Sequence, residues 1–162
     1  MKKITSSCLA LLSGIGVGTG IGLAAIEKKK GELNSLKKAS DKHLALFMLM
    51  NEWVRIKQQG KSLRNYFENN KYKKIAIYGM SYIGETLLDE LRDSDICVMY
   101  GIDKNADQIY ADINLFTMDA ELEEVDAIIV TAITYYDDIA DELEKKVNCP
   151  IISLEDIIYE ML

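Results

Sequence analysis

The sequence predicts an α/β fold: a small parallel sheet covered by helices, preceded by a transmembrane helix and a helical linker region. Three observations carry this reading. From residue 73 onward, short and almost wholly apolar strands alternate with helical stretches, the pattern of a parallel sheet buried on both faces. Residues 4–26 contain no charge. Charge also divides the chain: residues 1–74 hold 15 Lys/Arg against 5 Asp/Glu, whereas residues 75–162 hold 4 against 21. Two such parts suit two different environments. With 162 residues, one Pro and three Cys, the chain excludes collagen and a disulfide-stapled miniprotein, and its length allows one modest domain plus an appendage.

The first segment, residues 1–27, reads as a transmembrane anchor. A helix over the 23 uncharged residues 4–26 would span roughly 34 Å, enough for a hydrocarbon core of about 30 Å. Gly14, Gly18 and Gly22 fall on one stripe and Gly16 and Gly20 on its neighbour. In lipid, small residues spaced by four let two helices approach closely. A cleaved signal peptide with the basic start Met1-Lys2-Lys3 is the alternative. Lys28, Lys29, Lys30, Lys37, Lys38 and Lys42 follow the segment. That bias favours a single-pass protein of the inner (cytoplasmic) membrane with its main domain in the cytoplasm. The lysines either lie beside anionic headgroups or form a solvated helix face.

Residues 28–72 read as a basic helical juxtamembrane region. Residues 33–59 have no Pro, Ser40 suits an N-cap for the part beginning at Asp41, and Gly60 suits a terminator. The run LALFMLM at 44–50, with Trp53, Val54 and Ile56, is too apolar for a one-faced helix. It is expected to pack on the domain with one face and on a partner helix with the other, in a homo-oligomer. His43 has no Cys or carboxylate at ligand spacing, so no metal is expected. A short helix is expected from Ser62 to Asn70.

Residues 73–162 then supply strands at 74–79, 96–103, 114–118, 126–132 and 150–153. Helices are expected at 85–92, 135–147 and 154–162. The crossover at 104–113 is too short for a full helix.

The turn after the first of these strands reads Gly79-Met80-Ser81-Tyr82-Ile83-Gly84. A dinucleotide-binding turn has the form G-x-G-x-x-G and opens a helix whose first amides face a pyrophosphate. Gly79 and Gly84 take its outer places and Ser81 replaces the middle glycine. Asp103, 19 residues after Gly84 at the end of the next strand, stands where an acid accepts from ribose hydroxyls. The bland alternative is that both glycines only permit a tight turn and close helix–sheet packing.

IAIYGMSYIGETLLDEL followed by YGIDKN resembles the small Rossmann-like modules of bacterial surface-polysaccharide biosynthesis proteins. Such units lead some sugar acetyltransferases and nucleotide-sugar dehydratases. The resemblance covers about residues 73–157. It implies a phosphate site lined by Gly79, Ser81, Tyr82 and Gly84, with Asp103 on a ribose or sugar hydroxyl; a phosphate there would need the amides around Ser81, Tyr82 and Ile83 at the helix start. Thr131 and Thr134 would complete the crevice. The ligand it implies is NAD(P) or a nucleotide-sugar, and the implied partners are polysaccharide-biosynthesis proteins. The missing middle glycine and the short crossover depart from the pattern.

Candidate catalytic groups are few. No His follows His43, and no Tyr and Lys four apart are read between residues 75 and 162. Cys97 and Cys149 are expected as reduced core residues. The acidic half would repel nucleic acid. The sequence thus favours a binding module over an enzyme. A ligand-free interaction adaptor and a minimal oxidoreductase completed by a partner stay open.

Overall fold

Apolar strands too short to stand alone find cover by stacking side by side between helices. The computed structural model describes the backbone of residues 7–162 and the side chains of residues 26–162. Two units divide the chain, residues 1–44 and 45–162. Helix α1, Ser7–Gln58, runs through both. It is one uninterrupted helix, so Ser40 stands inside it rather than capping a new one. In the first unit every described side chain, from residue 26 to residue 44, is exposed.

The transmembrane helix expected ahead of the domain is a correction to the fold class. Among the described residues no helix is long and apolar enough to cross a membrane. The part of α1 whose side chains are described, residues 26–58, is interrupted by Glu27, Lys28–Lys30, Glu32, Lys37, Lys38, Asp41, Lys42, Glu52, Arg55 and Lys57. Its longest uncharged stretch, residues 43–51, falls far short of the roughly 20 residues a span requires. The side chains of residues 4–25, where that span and its glycine stripes lie, are outside the described residues.

In the second unit, α2 (Arg64–Asn69), β1 (Lys74–Tyr78), α3 (Tyr82–Leu91), β2 (Cys97–Ile102), β3 (Leu115–Phe116), β4 (Ala127–Val130), α4 (Tyr136–Leu143), β5 (Ile151–Ser153) and α5 (Leu154–Met161) follow in order. The five strands form one sheet in the order β3-β2-β1-β4-β5, every neighbouring pair parallel. This is the order of a Rossmann-like sheet, with its switch point between β1 and β4. The short crossover is a single 3₁₀ turn at Ala106–Gln108.

Alternation along the strands sends Ile75, Ile77, Ala127 and Ile129 to one face and Ala76, Ile128 and Val130 to the other. The first face carries most of the cover: Leu49, Trp53 and Ile56 of α1, Phe67 of α2, Leu87 and Leu91 of α3, and Ile157 and Ile158 of α5. The second is closed by Ile139 and Leu143 of α4 with Phe116, Met118, Leu122 and Val125. Strand β2 holds one extra residue. Ile75 pairs with Val98 but Ala76 pairs with Tyr100, so Met99 is a β-bulge and the two flanking residues reach opposite faces. Cys97, expected in the core, is exposed at the start of this strand. Cys149 is half-buried, and burial pushes its thiol up.

A polar hub joins three segments of the core. The Glu90 side chain is 6% exposed and pairs with Lys57 Nζ at 3.0 Å. It also accepts from Trp53 Nε1 at 3.0 Å, Ser62 Oγ at 2.8 Å and the Leu63 amide at 2.9 Å. Burial raises its pKa, but the hydrogen bonds from Leu63, Lys57, Ser62 and Trp53 outweigh burial and hold it below 4.5.

Candidate functional site

The carboxyl end of β1 lies at the switch point, and the turn there is shaped by contacts that tolerate few other residues. Gly79 has φ +94°, and a Cβ on it would stand 2.7 Å from Thr131 Oγ1. That conformation is open to glycine and strained for other residues. A Cβ on Gly84 would run into the Gly79 carbonyl oxygen and lie 3.1 Å from its carbon. Gly84 therefore brings α3 against the turn itself, the role of the last glycine in the fingerprint.

Two groups hold the turn from outside, and Met80 anchors it from within. The Thr131 hydroxyl, on a side chain buried at the end of β4, donates to the Gly79 carbonyl at 2.6 Å and lies 3.1 Å from that of Tyr78. Asp103 Oδ2 accepts from the Met80 amide at 3.0 Å, and Oδ1 accepts from the Asn105 amide at 2.8 Å. The Met80 side chain is buried and fills the space above Gly101, where a Cβ would stand 2.8 Å from Met80 Cγ and 2.6 Å from Leu115 Cδ2.

What the turn presents outward is the start of α3. Ser81 is its N-cap residue in an extended conformation, and its side chain makes no capping hydrogen bond. The first amides of a helix have no intrahelical acceptor, and the helix dipole favours negative charge beside them. Tyr82 is 85% exposed. Ile83 is buried, so its side chain serves the core and only its backbone is available to a ligand.

The sequence-derived residues thus fall into three groups. Gly79, Ser81, Tyr82, Ile83 and Gly84 form the turn. Asp103 and Thr131 meet it from below, with their polar atoms engaged on its backbone. Thr134 stands apart in a recess of about 290 Å³ with Tyr135, Tyr136, Asp137, Asp138, Ser153, Glu155 and Asp156. No turn residue lines that recess. Four carboxylates there oppose a phosphate.

Three contributors escape the sequence reading: Met80, Gly101 and the backbone role of Asp103. Gly101 had a signal, since glycine inside a strand marks close approach of another group. Tyr100 and Lys104 do stand four apart, but Tyr100 is on β2 and Lys104 is in the turn that follows it. Tyr100 is buried, its hydroxyl donates to the Glu123 carbonyl at 2.7 Å, and burial pushes its pKa up to about 12. They are not an acid–base pair. Among the described residues no His, Cys, Asp and Glu group is arranged to hold a metal ion.

Comparisons of the chain with protein-family models, curated proteins and solved structures found no match. Function is therefore read from the turn and its surroundings.

Proposed function

We propose that the α/β unit is a Rossmann-like module that binds a nucleotide, dinucleotide such as NAD(P), or nucleotide-sugar at residues 79–84. The observation that carries this is the glycine turn with its positive φ at Gly79, placed at the switch point of a 3-2-1-4-5 parallel sheet and leading directly into α3. The uncapped Ser81 hydroxyl beside the first amides of α3 adds a donor for phosphate. Service in surface-polysaccharide biosynthesis is the setting favoured by the resemblance of IAIYGMSYIGETLLDEL and YGIDKN. Binding without catalysis fits a site whose nearby acid, Asp103, is engaged in holding backbone.

Calorimetry tests this on the full chain with NAD, NADP, UDP-sugars and CMP-sugars. A fragment starting at Lys71 would lack Leu49, Trp53, Ile56, Leu63 and Phe67, all buried, and is unsuitable. The expected result is saturable binding of one ligand class with a matching rise in melting temperature; ligand at about 100 times Kd adds about 2.7 kcal/mol. A flat response across the panel at millimolar ligand rejects the proposal.

A further inference from the structure

The part of α1 within the α/β unit has two apolar faces, and only one is used inside the subunit. Leu49, Trp53 and Ile56 are at most 2% exposed, whereas Phe47, Met48 and Val54 are 70%, 53% and 48% exposed. With Asn51, Arg55 and Gln58, all exposed, they share one face of the helix at spacings of three and four. A face that is apolar at its centre and polar at its margins has the composition of an association surface.

We infer that this face pairs with the same face of a second copy of the chain, the two helices antiparallel about a two-fold axis at Asn51. A two-fold interface must be complementary to itself. Residues equidistant from Asn51 then meet: Met48 packs on Val54, Phe47 meets Arg55, and Asn51 meets Asn51. Each contact is favourable: apolar on apolar, an aromatic ring under a guanidinium, and two amides that hydrogen-bond and fix the register. Arg55 is held for this by Glu52 at 3.3 Å on its own helix. Charge selects the direction. Parallel helices would put Arg55 against Arg55 and leave Phe47 without its cation, whereas the antiparallel pairing opposes no like charges on this face. The pairing requires no bound ligand and is independent of the nucleotide reading.

Sedimentation velocity on the full chain tests the pairing, with melting temperatures as the check on folding. The wild-type chain is expected to dimerise, and Phe47→Lys, which would set a lysine against Arg55, to weaken dimerisation about tenfold or more with the melting temperature of dilute, monomeric protein unchanged, because Phe47 is 70% exposed in its own subunit. Met48→Lys and Val54→Glu should each weaken it. The double variant Met48→Lys/Val54→Glu should regain affinity over either single variant, since antiparallel pairing sets each lysine against a glutamate. Parallel helices would set lysine against lysine, and the double variant would be weakest. A monomeric wild-type chain, association indifferent to Phe47→Lys, or a double variant weaker than both singles overturns the inference; the first outcome leaves the face to a different partner.

Discussion

Two helices begin at the carboxyl ends of neighbouring central strands, and they place different amounts of negative charge at their own positive ends. After β1, α3 starts with Ser81, Tyr82 and Ile83, its first-turn acid being Glu85. After β4, α4 starts with Asp137 and Asp138, and beside it α5 starts with Glu155 and Asp156. A carboxylate in the first turn complements the helix dipole and occupies the place an anion would take. The recess between α4 and α5 is therefore supplied with negative charge by its own chain. The α3 turn instead combines a glycine backbone with an unused hydroxyl. If the proposed ligand binds at the α3 turn, the end of a strand alone does not make a phosphate site, and the number and place of the carboxylates at the start of the following helix matter as well.

The contrast is easiest to break at Gly84. Gly84→Ala forces a methyl group into the Gly79 carbonyl, and should cost about 3 kcal/mol or more in urea unfolding. Gly31→Ala, with open space around its Cβ, should be neutral or stabilising by up to about 1 kcal/mol. Gly79→Ala meets both a strained φ and Thr131 Oγ1, and should lose about 2 kcal/mol. Thr131→Val leaves the Gly79 carbonyl without its donor, and Asp103→Ala frees the Met80 and Asn105 amides. Each should cost about 1–3 kcal/mol, so ligand affinities for these variants are to be read only at temperatures where they remain folded.

Acid titration sharpens the picture at the far end of α3. The folded state holds Glu90 below its ordinary 4.5, so it binds that proton less tightly than the unfolded chain does. The stability contributed is fully present above about 4.5 and is lost as pH falls through the depressed folded value. Urea unfolding from pH 7 to pH 3 should show this loss, and Glu90→Gln should be less stable at pH 7 with a flatter acid limb. Equal slopes for the two proteins would show that Glu90 is not the titrating group. The smallest effects belong to the helix starts. Asp137→Asn should cost about 0.3–1 kcal/mol, and Ser81→Gly should leave stability within about 0.5 kcal/mol while nucleotide affinity stays equal or improves.

The strands were legible in the sequence because a strand covered on both faces is apolar throughout, and KIAIY, CVMYGI and AIIV are nearly so. The paired demands on Gly79 and Gly84 were legible as well, since spacing within one turn is local. Asp103 was harder. Its position beside the turn follows from strand order, but its choice of the Met80 and Asn105 amides depends on how two loops approach each other. The place of Thr134 was not legible for a similar reason: it lies in a single 3₁₀ turn, Ile133–Tyr135, and lines the acidic recess, which no residue of the glycine turn lines. Helix α1 misled most. A lysine-rich stretch joined to an apolar one reads as two elements, yet nothing between them breaks a helix, since Gly31 and Ser40 are both tolerated inside one.

The bulge at Met99 acts as a change of phase. Ahead of it Val98 belongs to the face covered by α1, α3 and α5; behind it Tyr100 and Ile102 belong to the face covered by α4. Any alignment of β2 with an unbulged strand must therefore open a one-residue gap at Met99. Without that gap, each position on one side of it is matched to a residue of the wrong face, and hydrophobic pattern alone would not reveal the error, because the strand is apolar in both phases.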